Sequence, residues 1–505
     1  MMVPASDGPS FDPGAAAPPR TELIERARET YRRLLVQQPD SADVLLNLGR
    51  LLRREAPLAA RTLIRRALRF PGVGAVHWFH LGSAEDSAGD TDAALDCLDR
   101  CLRLDPGFAS GHHKRGLILN RLHRWNEGVA ALRKAAALAP GDRHILCDLG
   151  LGLQNSGADD PAERLYRRSW RLEPADERPL QLLGGLLIRD GRIQDAAPLM
   201  DRLMQTTGTM RRDELVCNLL AVGLNNGPAP ITAQTPAIGA AVAIGSISVI
   251  ICSITPAKFA AATAMFRRVL RGTDYEIIGI HDARSMCEGY NRGLRQSRGD
   301  ILIFCHDDIA ILNEDLPCIL AKRLAEFDVI GVAGTLRLDA LGWWRGERQF
   351  LRGVVAHGKI TEDGILCDVF GVDGPVAAGI QVMDGLFLAA RRAVVEAVQF
   401  DEENFGGFHF YDMDFTYSAY LAGYRLAACS EIMITHESAG NLKDWNLWKQ
   451  RFLEKFQGRL PHLSTAEAEP LQSEGKGWST VRLASGDHLR SFFRLIVERP
   501  HAWMP

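Results

Sequence analysis

Four glycines, Gly82, Gly116, Gly150 and Gly184, recur at intervals of 34 residues, and Pro106, Pro140 and Pro174 follow the first three by 24. Twelve residues after each glycine stands a small residue, Ala94, Gly128, Ala162 and Ala196, while Leu81, Leu149 and Leu183 precede it. A fixed period of this length means a stack of like helical units, none of which can bury its apolar face alone. Each proline is placed to end a helix, because it lacks the N–H of the next hydrogen bond and its ring clashes with the carbonyl four residues back. An imperfect unit with Gly49 and Pro71 comes first, preceded by a helix over Thr21 to Gln38, and helix-forming Arg211 to Asn225 closes the other end.

This pattern resembles the tetratricopeptide repeat, which implies an all-α solenoid over residues 21–226 whose concave surface binds a partner and does no chemistry. A solenoid that only braces its neighbour or a dimer is the alternative. A chain of 505 residues is too long for one core, so further domains are expected. The formal net charge of -3 argues against a nucleic-acid partner. Ten cysteines without a Cys-x-x-Cys pair suit a reduced, cytoplasmic chain. Residues 1–20 are rich in Pro, Ala and Gly, with neither a basic start nor an apolar core, and read as a disordered leader and no signal peptide. Ala237 to Ile254 is apolar enough for a membrane span, but its glycines and serines and the β-branched run from Ile247 suit a linker, 227–245, entering a buried strand. Membrane integration is therefore not expected.

After the linker the pattern changes to strands alternating with helices. Ile247 to Ile254 reads as a strand, Ala257 to Arg271 as a helix, Tyr275 to Ile280 as a strand ending at His281-Asp282, and Ser285 to Ser297 as a helix. Gly299-Asp300 then turns the chain into Ile301 to Cys305, a continuous apolar run that fits a strand buried on both faces. It stops at His306-Asp307-Asp308. Ligands of open α/β sheets sit at such carboxyl ends, and two adjacent carboxylates with an imidazole there need solvent, or a divalent cation with its anionic ligand. A solvated turn capped by Asp308 is the plainer reading. No Gly-x-Gly-x-x-Gly or Walker loop is present, so neither a dinucleotide nor an ATP P-loop is supported.

The order of these parts, continued by Val382-Met383-Asp384-Gly385-Leu386-Phe387, by Phe410-Tyr411-Asp412-Met413-Asp414 opening a helix, and by a strand delivering His436-Glu437-Ser438, resembles a family 2-like glycosyltransferase with the GT-A fold. The similarity covers residues 246–460 and leaves 461–505 as an extension with no readable role. The fold class expected is thus multidomain: an all-α solenoid followed by an α/β, Rossmann-like nucleotide-sugar-binding domain.

The resemblance implies roles for particular residues. Asp308 matches the last acid of an Asp-x-Asp motif that holds Mn2+ or Mg2+ on the donor diphosphate; His306 stands where that motif begins with Asp, and His436 matches a late histidine that completes the metal site. Asp307 would face the ribose and Asp282 the nucleobase, with Thr255, Asn291 and Asp384 completing the nucleotide-sugar-binding set. Asp412 matches the general base, Asp414 is the second catalytic candidate, and Tyr411 replaces the usual Glu. Trp343, Trp344, Trp445 and Trp448 would form an acceptor platform or pack under a loop. Processive synthases carry Gln-x-x-Arg-Trp, which is missing here, so one sugar per visit is expected. The implied partners are a nucleotide-sugar donor and a protein or glycan acceptor recruited by the array, with oligomerisation left open. The competing reading is a repeat adaptor whose glycosyltransferase-like domain no longer turns over.

Overall fold

The computed structural model describes residues 20–207, 212–227, 244–361, 363–438, 444–460 and 478–498. The leader and the linker expected from the sequence fall almost entirely outside the described residues, and so does the polar stretch from Ser464 to Gly477. The chain forms two compact units, one ending at Ala175 and the other running from Asp176 to Pro505.

The first unit contains helices α1 (Arg20–Gln37), α2 (Ala42–Leu52), α3 (Pro57–Ala67), α4 (Ala75–Ser87), α5 (Thr91–Leu104), α6 (Ala109–Arg121), α7 (Trp125–Leu138), α8 (Arg143–Asn155) and α9 (Asp159–Leu172). From α2 onward they pack as successive pairs. The repeat glycines stand where partners cross: a Cβ on Gly116 would lie 2.5 Å from Leu132 Cγ and 3.0 Å from the carbonyl oxygen of Gly128, so α6 and α7 approach too closely for a side chain. Ser41, Asp90 and Asp142 accept backbone N–H bonds in the first turns of α2, α5 and α8, meeting donors that no helical carbonyl can reach. The turns inside the pairs need a left-handed residue at a fixed place. Gly89, Gly157 and Gly191 supply it at φ of 87°, 83° and 79°, and His123, 34 residues after Gly89, adopts it at 57°.

The second unit begins with α10 (Glu177–Arg189), α11 (Ile193–Thr207) and α12 (Arg212–Asn225). Here α10 packs on both α11 and α12, and a Cβ on Gly185 would meet the backbone of Leu219 at 2.6 Å. The helix expected over Arg211 to Asn225 is α12.

A seven-stranded sheet follows, in the order β2 (Tyr275–Ile280), β1 (Ile247–Cys252), β3 (Ile301–Cys305), β11 (Phe387–Arg391), β5 (Val329–Gly331), β12 (Leu426–Cys429) and β9 (Val376–Ala378). β1 runs parallel to both β2 and β3, pairing Cys252 with Ile280 and Ile251 with Cys305, so all three strands end level. Crossover helices α13 (Pro256–Val269) and α14 (Met286–Gln296) connect them, as the alternating pattern requires. β1 stops at Cys252, two residues before the expected end, because Ser253 turns to bond Thr255 and Asp307. Ile247–Cys252 being a strand, the stretch flagged as a membrane span is no helix where described, and its residues 237–243 lie outside the described ones. No helix among the described residues is long and apolar enough to cross a membrane.

A second sheet runs β10 (Val382–Met383), β6 (Ala333–Thr335), β7 (Leu351–Thr361), β13 (Ile434–His436) and β4 (Ile309–Ile311), with β8 (Gly364–Gly371) on β7 and β14 (Ser479–Leu483) on β8. Helices α15 (Leu316–Glu326), α16 (Arg392–Val398), α17 (Tyr411–Leu421), α18 (Trp445–Lys455) and α19 (Gly486–Glu498) complete the unit. Its core is continuous, with Phe304 and Phe387 fully buried and Phe400 stacked on Phe415 at 4.4 Å between ring centroids. The described part of the C-terminal extension belongs to this core sheet and does not trail from it.

Candidate active site

Strand register builds the site. β13 lies antiparallel to β4, which places His436 opposite Ile309, and the Glu437 N–H donates to the Asp308 carbonyl at 3.0 Å. His436, 130 residues away in sequence, is thereby fixed beside the end of β3. Nδ1 of His306 stands 3.4 Å from Nε2 of His436, which stands 3.3 Å from Oδ1 of Asp308. One ligand atom from each of these three residues lies within 4.8 Å of the others. Burial and the neighbouring His436 push the His306 pKa down, which keeps its imidazole neutral. Asp308 is 8% exposed, yet bonds from His436 and Lys258 outweigh its burial and hold its pKa below the ordinary carboxylate range. Two imidazoles and one carboxylate converging on one point are a donor set that fits a divalent cation.

Next to this cluster is a pair of acids. Asp384 accepts from Trp343 Nε1 at 3.1 Å and from the Leu386 N–H at 2.8 Å; Asp412 accepts from the N–H groups of Gly385 and Met413, both at 2.9 Å. Burial, followed by the charge of Asp384, raises the Asp412 pKa to about 7 despite those two N–H bonds. Tyr411 joins the acid pair to the histidines, its hydroxyl lying 2.8 Å from Nε2 of His306. A Cβ on Gly385 would come within 2.2 Å of that hydroxyl, so the glycine is what lets the start of α17 close onto the strand end. Phe410, just before the helix, takes φ of 63° to make the turn.

The remaining residues anticipated from the sequence divide into two groups. Asp307 lies beside the cluster, accepting from Ser253 Oγ at 2.6 Å, and Thr255 sits at the N-cap of α13 next to it. Asp282 is at the open end of β2, exposed and ion-paired to Arg292 at 2.8 Å. Asn291 and Asp414 are turned elsewhere. The Asn291 amide clamps the Phe400 backbone, donating to its carbonyl at 2.7 Å and accepting from its N–H at 3.1 Å. Asp414 is 1% exposed and paired with Lys455 Nζ at 2.6 Å; burial raises its pKa to about 6 against the pull of that lysine. Residues two apart on a helix point about 200° apart, so Asp412 and Asp414 cannot serve one cleft together.

Sequence reasoning missed Lys258, whose Nζ is 3.1 Å from Asp308 Oδ2 and 3.9 Å from Asp307 Oδ1. The signal was available: Lys258 is the first charge after a run of uncharged residues reaching back past Asn225. Ser253 was likewise visible only as a neighbour of Thr255, and the bond from Trp343 to Asp384 was not legible in the tryptophan pattern. The tryptophans do gather, with Trp344 and Trp445 ring centroids 5.3 Å apart and Trp445 4.6 Å from Phe410, on the side of Asp384 reached through Trp343. Trp448 covers Gly407, where a Cβ would meet its indole at 2.5 Å.

Residues 248–456 match the model of the glycosyltransferase-like family. The C-terminal half of the chain carries a glycosyltransferase-like domain. Its mixed α/β sheet, with β1 to β3 parallel and the histidine-acid cluster at their ends, is that of a GT-A-like fold. Among curated proteins, a tetratricopeptide repeat and J domain-containing co-chaperone of Cryptococcus neoformans var. grubii is 32% identical over 81 residues. That match spans 16% of this chain and only 16% of the relative. Among solved structures, MamA is similar at 24% identity over 31% of this chain and 92% of its own, with a TM-score of 0.28. A MamA fragment from Desulfovibrio magneticus RS-1 is similar at 22% identity over 34% of this chain and 97% of its own, with a TM-score of 0.32. YrrB, described as a TPR protein with an unusual peptide-binding site, follows at 17%, 32%, 83% and 0.27. The paired helices preceding the glycosyltransferase-like domain are tetratricopeptide-type repeats.

Proposed function

We propose that the glycosyltransferase-like domain moves a single sugar from a nucleotide-diphosphate donor to an acceptor hydroxyl, with inversion and with help from a divalent cation. The observation that carries this reading is the gathering of a three-residue donor set and a carboxylate of pKa about 7 around the end of β3. His306, Asp308 and His436 would hold the cation, whose charge when bound neutralises the diphosphate leaving group. Asp307, held by Ser253, and the open end of β2 with Asp282 offer acceptors to ribose and base. Asp412 receives the acceptor's proton as the hydroxyl attacks. A base with pKa near neutrality is deprotonated often enough to act and strong enough to pull. With one base on the face opposite the leaving group, no carboxylate nucleophile is needed.

The repeat array then recruits the acceptor, and a groove spanning several repeats suits a polypeptide better than a free sugar. The site favours transfer over the adaptor reading, because the half-buried Asp412 carboxylate, its pKa raised to about 7, and the histidine pair cost stability that a purely structural domain would not need to bear. The test is a donor panel of UDP-, GDP- and dTDP-sugars with Mn2+, read as sugar hydrolysis in the absence of acceptor. Hydrolysis of one donor that Asp308→Ala abolishes is expected. No hydrolysis and no thermal shift with any donor would leave the adaptor reading standing.

A further inference from the structure

Lys258 is in the wrong place for helix stability. It occupies the first turn of α13, three residues after the N-cap Thr255, where a cation opposes the helix dipole, and no acidic residue shares that turn. Its ammonium is instead spent on the site: 3.1 Å from Oδ2 of Asp308, whose other oxygen faces His436, and 3.9 Å from Oδ1 of Asp307. The lysine side chain is 41% exposed, while that of Asp308 is 5% exposed, so the lysine reaches from the rim down to a buried carboxylate. A divalent cation held by His306, Asp308 and His436 would share Asp308 with this ammonium at close range. Two cations on one carboxylate repel, and the ammonium, on a flexible four-carbon stem rooted at the rim, is the one that can leave.

Resting on the reading above that the site binds a cation and a nucleotide diphosphate, the geometry points to Lys258 as a resident counter-ion of Asp308 that yields to the divalent cation and then clasps the donor diphosphate. The stem is rooted in the first turn of α13, three residues after Thr255, near the strand ends where the diphosphate is expected, so the displaced ammonium needs only to swing toward the incoming anion. The consequence is cooperativity. The cation binds poorly alone because it must displace Lys258, and it binds well with diphosphate because the displaced ammonium then has an anion to meet. By linkage, each ligand raises the affinity of the other by the same factor.

The experiment measures Mn2+ affinity of the full chain, first alone and then with saturating UDP, GDP or dTDP, for wild type, Lys258→Met and Lys258→Arg. Without nucleotide, Lys258→Met should bind Mn2+ more tightly than wild type, on the order of tenfold. Its nucleoside diphosphate affinity in the presence of Mn2+ should fall by a factor on the order of ten, so the coupling largely disappears. Lys258→Arg, which keeps the charge, should stay close to wild type, and Lys258→Gln serves as a second neutral variant. Should wild type bind Mn2+ and a nucleotide while neither neutral variant binds Mn2+ more tightly, the counter-ion role falls and the proposed function stands. Should wild type bind neither Mn2+ nor any of the nucleotides, both fall together.

Discussion

The Tyr411 hydroxyl lies 2.8 Å from Nε2 of His306, and that contact decides which face of the imidazole is left for His436 and Asp308. When Nε2–H donates to the tyrosine oxygen, Nδ1 is the unprotonated nitrogen, and it stands 3.4 Å from Nε2 of His436. Tyr411 takes the place of an acid the resemblance leads one to expect, and its burial raises its pKa well above the usual value, so it stays a neutral phenol. It orients the histidine without adding charge.

Tyr411→Phe should therefore keep the fold and loosen the cation. Partners that orient a ligating histidine typically cost about 10 to 100-fold in metal affinity when removed. Mn2+ titration of the variant checks this, with an unchanged melting temperature as the control. Equal Mn2+ affinity would mean that packing alone sets the His306 ring.

If Asp412 is the base proposed above, Asp412→Asn removes it and spares the proposed donor site. With the Asp412 pKa at about 7, wild-type transfer should fall roughly tenfold per pH unit below 7 as the carboxylate takes up a proton, and level off above it. The stability effect has the opposite sign. A carboxyl whose pKa is raised on folding stabilises the folded state only where it is protonated, so its contribution is lost as pH rises from the unfolded value toward 7. At pH 8 the Asn variant should therefore melt no lower than wild type while transfer drops by about 10² to 10⁴. A variant that retains transfer would remove Asp412 from the chemistry.

The donor set itself carries a metal preference. Mg2+ demands oxygen ligands in near-octahedral geometry, whereas two imidazoles with one carboxylate suit a softer ion. Mn2+ should bind more tightly than Mg2+, on the order of tenfold or more, and His436→Asp should narrow that gap. Competition between the two ions in one titration measures it directly.

The parts of this architecture that were legible in the sequence are those fixed by local sterics. The 34-residue glycines report helix crossings such as that of Gly116 with Leu132, and Ile301 to Cys305 reads as a strand because every residue of it is buried. The second sheet was not legible. β7 contains Gly353 and Gly358, both at positive φ, and shifts register against β8 between Gly353 and Val354, so it shows no clean alternation. Within the site, residue type was readable but direction was not. Asp412 and Asp414 are equivalent on paper, and only the position of Lys455 on α18 shows that Asp414 belongs to a buried ion pair. Lys258 escaped for the converse reason, since a lysine near a helix start looks solvated until the carboxylate it reaches is known.

One repeat turn departs from the rule its neighbours follow. His123 holds the left-handed conformation that glycine holds at 89, 157 and 191, and its exposed ring stands T-shaped to that of Trp125, with centroids 5.1 Å apart. Left-handed backbone costs an ordinary L-residue roughly 1 to 2 kcal/mol, part of which glycine's greater unfolded-state freedom takes back. His123→Gly should stabilise the array by about 0.5 to 1 kcal/mol. Denaturant melts of the variant decide it, and destabilisation would show that the Trp125 contact outweighs the backbone strain.

Where the glycosyltransferase-like domain can be cut follows from α12. The pattern of repeats assigns this helix to the array, but it packs against β14 and α19, which come from the far end of the sequence. The Asn225 side chain fastens the junction on both sides, donating to the Arg482 carbonyl at 2.9 Å and accepting from the Ala484 N–H at 2.9 Å. Along α12, Leu215, Val216, Leu219, Leu220 and Leu224 are all buried, so removing it strips apolar cover from its neighbours. A fragment beginning at residue 246 keeps every motif residue of the site, yet it should be the less stable of the two. A fragment beginning at 176 should melt in one cooperative step at a higher temperature. If the lost packing were worth only about 2 kcal/mol, the difference would be roughly 4 to 8 °C. Thermal melts of the two fragments, with Asn225→Ala in the longer one as an intermediate case, measure the contribution. Equal melting temperatures would mean that α12 rests on the domain without supporting it.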